Sequence, residues 1–357
     1  MKFPLIEKRQ PVFGLDIGYK EAKFVQVKST KSGHRLLGMG AAALSDGMVI
    51  DGVIAEPEDL AHVINASLHR AARGKITARS VVIGLPQSHL FSRIITTPAL
   101  AEDKLADAVL WEAQQYIPMP VNDLYTDHQI VERQKDESGI VHEYAVLLVA
   151  APRSIVDSYL KLCDLAHLVP RSMEMSLMAN IRALRPTVEE QTATLIIDAG
   201  ALATDMAIVT DTIRVTTTVN IGGESFTNAI ATKLRVTFHE AEEMKIKFGI
   251  TQSDLQPKIR VALSTHLKKI LQEITKLIKY YEERTKGTTR STVKRIMMTG
   301  GNSRMPGLAH LISHTTNLPV DISAGWDRHP TSGVDGVPKN LGPIYNTAFG
   351  LACRGWE

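Results

Sequence analysis

The sequence predicts an α/β chain of two related lobes facing each other across a cleft. Three observations predict it. At 357 residues the chain is long enough for two cores, and 44% hydrophobic and 22% charged residues are ordinary for a globular protein. Two strand-like runs, residues 12–18 and 194–200, each stop at Asp-x-Gly, and a second strand-like run follows within a few residues. A hairpin tip of this kind uncovers backbone N–H groups, and its Asp can hold a metal ion or a water. Two such tips, far apart in sequence, predict two domains sharing one polyphosphate.

The elements follow in order. Residues 12–28 read as a hairpin, because Ala22-Lys23-Phe24-Val25-Gln26-Val27 resumes a strand after Asp16-Ile17-Gly18. Leu60, Val63, Ile64 and Leu68 share one face of a helix over 56–73 that Gly74 ends. Residues 80–86 form a short buried strand. Residues 91–152 read as an inserted αβ module. It has a strand at 94–97, a helix over 101–116 stopped by Ile117-Pro118, and strands at 125–132 and 142–149 joined by a polar turn. A helix follows over 154–167. The second half carries strands at 194–198, 206–209 and 213–220, then Gly222-Gly223, then a helix from near Phe226. Thr237-Phe238-His239-Glu240 fits a capping box, so another helix runs to Phe248. Leu263, Leu267, Ile270, Ile274, Leu277 and Tyr281 line one face of a long helix over 258–286. A strand at 293–299 meets Gly300-Gly301, and a helix follows over 306–316.

The bulk composition excludes several classes. A net charge of +3 is too small to argue for nucleic acid. Cys163 and Cys353 are too few for a disulfide framework, fit a reducing compartment, and read as buried apolar residues. Residues 1–10 lack the apolar core of a signal peptide, and the longest apolar stretch falls well short of the ~20 residues that span a bilayer. These features predict a cytoplasmic protein that reaches a membrane only through a partner. No Gly-x-x-x-x-Gly-Lys-Ser/Thr loop, strand-borne Gly-x-Gly-x-x-Gly or Cys/His metal spacing is present. The basic stretch from Lys268 to Arg295 reads as a solvated helix face, with an anionic partner surface as the alternative.

Four segments carry the candidate chemistry. In the first tip, Gly18 permits close approach and Lys23 lies just past the turn to meet a phosphate as a point charge. An ordinary hairpin with an exposed lysine explains that segment equally well. In the second tip, Asp198 is placed to hold a Mg²⁺-bound water, the N–H groups after Gly200 to face a γ-phosphate, and Thr204 to donate a hydroxyl. The third segment is Gly300-Gly301-Asn302-Ser303-Arg304-Met305-Pro306, where two glycines let a flat ring lie against the backbone or simply make a tight strand-to-helix turn. The fourth is Glu242 with Lys245, one helical turn apart, suited to ribose hydroxyls but also to an ordinary solvated face.

Taken in order, these segments resemble the actin-like ATPase superfamily, which includes actin and the sugar kinases. Residues 16–23 match its first phosphate loop, 198–204 the second, Gly300-Gly301 through Gly307 the adenosine motif, and Glu242 with Lys245 the adenine and ribose contact. Within that superfamily the chain resembles the PilM family of type IV pilus assembly proteins over nearly its full length. The resemblance rests on Trp111 through Pro120, ending in Gln115-Tyr116-Ile117-Pro118, on Ile221-Gly222-Gly223-Glu224-Ser225-Phe226-Thr227, and on Asn346 through Ala352.

The resemblance implies an actin-like fold, with a ribonuclease-H-like mixed sheet in each lobe. Residues 1–90, 151–192 and 340–357 would form the first lobe, and 91–150 an inserted subdomain. Residues 193–224 and 297–339 would form the second lobe's sheet domain, and 225–296 a helical subdomain covering the nucleotide. It implies ATP as ligand, with Mg²⁺ held through water by Asp16 and Asp198. The contacts would come from Asp16, Gly18, Tyr19, Lys20 and Lys23, from Asp198, Gly200, Ala201 and Thr204, from Gly222, Gly223, Glu242 and Lys245, and from Gly300, Gly301, Asn302 and Met305. It implies a cytoplasmic scaffold of a type IV pilus or related secretion system at the inner face of the membrane, holding the N-terminal tail of a PilN-like membrane protein in a groove near residues 116–125, with nucleotide state coupled to that binding. Other pilus assembly proteins, the assembly ATPase and a second copy of the chain are the further partners it implies.

Two departures bear on turnover. Tyr19-Lys20-Glu21 stands where small residues are usual, and Ala201-Leu202-Ala203 offers no side-chain donor before Thr204. Such loops suit holding ATP better than cutting it. Glu174 resembles the connecting-segment acid that positions a water, and equally reads as a solvated helix-end carboxylate. Two further readings stand beside the scaffold. One is a filament-forming protein of the FtsA and MreB type, against which the absence of a membrane-targeting helix after residues 346–352 is set. The other is a small-molecule kinase, for which Asp123 and Asp127 lie in the right region without a recognisable motif.

Overall fold

The computed structural model describes residues 11–31, 33–136, 138–185, 192–251, 256–287, 290–329, 331–333 and 337–355. The signal-peptide reading of residues 1–10 and the closing Trp356-Glu357 lie outside them. β1 (Val12–Ile17) and β2 (Glu21–Thr30) form the first hairpin, with Asp16 opposite Lys23. β3 (Gly33–Ala43) extends it antiparallel. A small hairpin of β4 (Val49–Ile50) and β5 (Val53–Ile54) leads to α1 (Pro57–His69), β6 (Arg73–Gly74) and β7 (Ser80–Leu85). α1 stops at His69, short of the predicted Gly74. Gly74 instead pairs with Gly38 on β3 at φ +63°, where a Cβ would stand 2.0 Å from the Leu37 carbonyl oxygen.

The inserted module is a separate three-stranded sheet. β8 (Phe91–Pro98), α2 (Glu102–Tyr116), β9 (Leu124–Lys135) and β10 (Val141–Pro152) give the order β8-β10-β9. Leu105, Val109 and Ala113 of α2 pack against Val146, Leu148 and Ala150 of β10, so the helical and strand periodicities meet in one small core. The chain then returns to the first sheet through α3 (Arg153–Leu165), β11 (Val169–Met175) and α4 (Ser176–Leu184), with β11 parallel beside β7.

The second lobe contains β12 (Ala193–Ala199), β13 (Thr204–Val209), β14 (Ile213–Val219), α5 (Gly223–Leu234), α6 (Phe238–Lys247), α7 (Gln256–Arg284), β15 (Val293–Thr299), α8 (Leu308–Thr316) and β16 (Val320–Ile322). Its sheet runs β14-β13-β12-β15-β16. Leu195, Ile197, Met206 and Ile208 share a core with Phe226 and Ile230 of α5 and Leu263 of α7. The alternate residues Ile196, Ala207 and Val209 join the first lobe's core. Burial on both faces explains why residues 194–197 read as an unbroken apolar run. α6 opens with both bonds of the predicted capping box. α5 begins three residues before Phe226. α8 begins at Leu308, because Gly307 turns into the left-handed region at φ +86° after a 3₁₀ turn over Gly301–Arg304.

α9 (Gly325–Arg328), β17 (Thr331–Ser332) and α10 (Asn346–Arg354) close the chain. β17 pairs with β3, completing a sheet of order β11-β7-β1-β2-β3-β17. Trp326 of α9 packs in the same cluster as Phe349 of α10. α9, β17 and α10 therefore lie with the first sheet, while the Pro343 oxygen accepts from the Gly300 N–H at 3.1 Å and from the Thr299 hydroxyl at 3.0 Å at the end of β15. α10 lies against β1 and α4 at glycine contacts. A Cβ on Gly14 would stand 2.1 Å from the Ala348 oxygen, and one on Gly350 2.0 Å from the Ala179 oxygen. Among the described residues no helix is long and apolar enough to cross a membrane.

Candidate functional site

Both Asp-x-Gly tips open onto one cleft of about 690 Å³ between the lobes, a size ordinary for a ligand site. The turns are built alike. The Gly18 N–H donates to the Glu21 oxygen at 3.0 Å, and the Gly200 N–H to the Ala203 oxygen at 2.9 Å. The glycine N–H groups thus close the turns, and the tip residues Tyr19, Lys20, Ala201 and Leu202 line the cleft.

Three carboxyls converge at its floor. Burial pushes Asp198 up to about 7, with Asp205 and Asp16 adding to the shift and the Asn180 amide opposing it. That amide donates to Asp198 Oδ2 at 2.6 Å. Burial likewise pushes Asp205 up to about 6 against the hydroxyl of Thr218, and raises Asp16 against the charge of Lys23. Lys23 Nζ lies 3.4 Å from Glu21 Oε2, so part of its charge is already engaged. The floor is short of positive charge. Among the described residues no group of three or more His, Cys, Asp or Glu side chains is arranged to hold a metal ion. The site therefore fits a cation only in the manner of Mg²⁺ with a nucleotide, through one or two carboxylates, waters and phosphate oxygens.

The opposite wall comes from the second lobe. Lys245 Nζ sits 2.7 Å from Glu242 Oε2 and donates to the Gly223 oxygen at 3.1 Å, while the Thr227 hydroxyl also donates to Glu242. The expected pair is thus held on itself, with both side chains lining the cleft. Asn302 donates to the Gly200 oxygen at 2.6 Å, tying the turn after Gly300-Gly301 to the second tip. A Cβ on Gly223 would stand 2.2 Å from Asn302 Oδ1. Gly300, at φ +83°, would bring a Cβ within 2.3 Å of Asp198 Oδ1, whereas a Cβ on Gly301 would meet nothing within 4 Å. Gly301 thus presents an open face, and Met305 also lines the cleft.

Three expected residues do not reach the cleft. The Thr204 hydroxyl is buried and donates to the Ile221 oxygen at 2.7 Å. Gly222 faces the second tip from behind, where a Cβ would stand 2.4 Å from the Ala201 oxygen. Glu174 lies at the end of β11, buried, and accepts bonds from Arg182 at 2.5 and 2.9 Å and from Arg354. It is not a solvated carboxylate, since both its oxygens are engaged by arginines. It clamps β11 to α4 and α10.

Several cleft residues escaped sequence reasoning. Asp205, Ser176, Gln87, Phe238 and Tyr159 all line it. Asp205 follows an Asp-x-Gly tip by five residues and was readable from strand alternation. The others arrive through long-range packing and carry no local signal. Lys20 bridges the lobes: its Nζ lies 2.9 Å from Asp46, 3.7 Å from Glu224 of α5, and 5.5 Å from the ring centre of Phe238 of α6. A larger groove, about 830 Å³, runs along the outer face of α7 past Leu267, Lys268 and Leu271. It has neither a glycine cradle nor converging carboxylates.

Two sheet-based lobes with paired tips across such a cleft define an actin-like protein. MreB5 of Spiroplasma citri bound to AMPPNP shares this fold, with a TM-score of 0.52 at 14% identity over 97% of this chain and 95% of its own. Cell division protein FtsA of Pseudomonas aeruginosa is 23% identical over 386 residues, covering 99% of this chain and 91% of FtsA. The family described as Type IV pilus assembly protein PilM matches residues 14–356, and the chain belongs to that family. A solved PilM–PilN type IV pilus biogenesis complex contains a chain similar over 98% of this one and 99% of its own, at 26% identity and a TM-score of 0.84.

Proposed function

We propose that this chain is a cytoplasmic scaffold of type IV pilus assembly that binds ATP with Mg²⁺ between its lobes and holds the N-terminal tail of a PilN-like membrane protein on its inserted module. The observation that carries the reading is the full-length likeness, at a TM-score of 0.84, to a chain of the PilM–PilN complex. The open face of Gly301, the paired tips and the cation-poor carboxyl floor support the nucleotide.

In this reading the tips at Gly18 and Gly200 receive the phosphates, and Lys23 meets one of them. Asp16 and Asp198 face Mg²⁺ through water, and Gly301 with Met305 takes the adenine. Glu242 and Lys245 exchange part of their mutual pairing for ribose hydroxyls. Mg²⁺ supplies charge neutralisation of the phosphates and of the carboxyl floor. Turnover is slow or absent, since Glu174 is committed to two arginines. The peptide surface lies where Trp111, Tyr116 and Tyr125 are 63%, 48% and 40% exposed. Arg93 stacks 3.8 Å over Tyr116 and Arg153 4.1 Å over Tyr125, which holds both rings in place as contact surface.

Calorimetric titration of the purified chain tests the proposal. It expects ATP binding in the micromolar range with Mg²⁺, and capture of a synthetic peptide copying a PilN-like N-terminal tail. A chain that takes neither ligand sinks it. The likeness to FtsA favours one second reading, ATP-dependent filaments, which sedimentation with ATP on lipid vesicles would reveal.

A further inference from the structure

The cleft floor contains a buried polar atom with no partner in the protein. Tyr159, on α3, is fully buried, lines the cleft, and its hydroxyl has no hydrogen-bond partner. A buried hydroxyl in that state costs about 1–3 kcal/mol. Phenylalanine would fill the same space without that cost. The charged group that acts on the phenol is Asp16, and burial together with Asp16 drives its ionisation far above the ordinary tyrosine value. Gln87 provides a second such atom in the same cleft. Its Nε2 donates to the Ser92 hydroxyl at 3.0 Å, while its buried Oε1 lacks a donor. Both atoms belong to the first lobe, on the side of Asp16.

We propose that Tyr159 is a positioning residue whose hydroxyl donates to a water in the shell of the divalent cation that enters with the nucleotide at Asp16. This rests on the nucleotide reading above and deepens it. The unliganded protein carries an unmet hydroxyl, and the cation's water supplies its partner. A packing role for Tyr159 would leave the hydroxyl dispensable in both states.

The test compares the full-length wild type with Tyr159→Phe in two measurements: thermal unfolding without ligand, and ATP affinity in EDTA and in Mg²⁺. The variant should unfold at or above the wild-type temperature. Its affinity in EDTA should match the wild type, while the gain conferred by Mg²⁺ should shrink about five- to tenfold, the equivalent of one hydrogen bond. In an Asp16→Asn background the same substitution should change nothing further. An undiminished Mg²⁺ gain overturns the proposal. So does a lowered unfolding temperature with equal losses in EDTA and Mg²⁺, which would make Tyr159 a packing residue. So does a loss that adds to that of Asp16→Asn. A wild type that binds no ATP in either condition removes the nucleotide reading itself, and this inference falls with it.

Discussion

Gly300 and Gly301 are adjacent, yet each is glycine for a different reason. Gly300 adopts φ +83° and would press a Cβ to 2.3 Å from Asp198, so its constraint comes from the protein's own backbone. Gly301 has open space around its missing Cβ, so the protein itself does not require glycine there, and in the proposed function the ligand does. Gly300→Ala should therefore destabilise by about 2–3 kcal/mol in urea unfolding, the left-handed penalty plus the clash. Gly301→Arg should keep its unfolding midpoint and lose ATP binding. A Gly301→Arg chain that still binds ATP would remove the adenine from this face. Glu174 shows the limit of reading at this scale. Its arginine partners stand 8 and 180 residues away in sequence, so nothing local announces the clamp. Because Arg182 is largely buried beside it, Glu174→Gln should cost about 2–3 kcal/mol of stability. Any residual ATP turnover per folded molecule should stay unchanged. The two Asp-x-Gly tips were legible because the turn, the glycine and the acid are contiguous. Tyr159 was not, because only the long-range packing of α3 into the first core brings it there.

At the scale of elements, legibility followed length and periodicity. α7 was readable from six apolar residues on one face, and α6 from its capping box. β3 was missed because Gly33, Gly38 and Gly40 interrupt its pattern; there a Cβ on Gly40 would strike the Phe24 ring at 2.6 Å. α4 has only 9 residues and β17 only 2, too few for a period to show. The turn between β13 and β14 shows how elements are joined by charge. Asp211 accepts from Thr210 at 2.7 Å and pairs with Arg290 at 2.8 Å, just before β15. Burial alone would raise this carboxyl, but the hydroxyl and the guanidinium outweigh it and hold it well below the usual range. A depressed folded value means the contribution is complete above the unfolded value near 4 and drains away as pH falls below it. The stability difference between wild type and Asp211→Asn should thus stay constant from pH 7 to about 5 and narrow toward pH 3 in denaturant titrations. A difference that widens on acidification would contradict the pairing.

At the scale of the whole molecule, the paired tips announced two lobes and one cleft, but not how the inserted module meets the second lobe. Arg214 of β14 pairs with Glu132 of β9, and the Ser92 hydroxyl of β8 lies 3.4 Å from that of Thr216 on β14. The module proposed to hold the partner peptide therefore leans on the edge strand of the second lobe. We propose that contact as the route by which bound ATP alters peptide affinity, because a ligand shifts an equilibrium only through contacts that differ between states. Coupling of this kind is typically about 1–3 kcal/mol, and linkage makes it reciprocal. In a double titration, ATP should change peptide affinity by about fivefold or more, and the peptide should change ATP affinity by the same factor. Glu132→Ala removes the charge that spans the two bodies while leaving Arg214 its bonds to Thr210 and Asp211. It should bring the coupling factor close to one while each ligand alone binds as in the wild type. If the factor survives in Glu132→Ala, the coupling runs instead through the core that Ile196, Ala207 and Val209 share with the first lobe, and the edge-strand route is wrong.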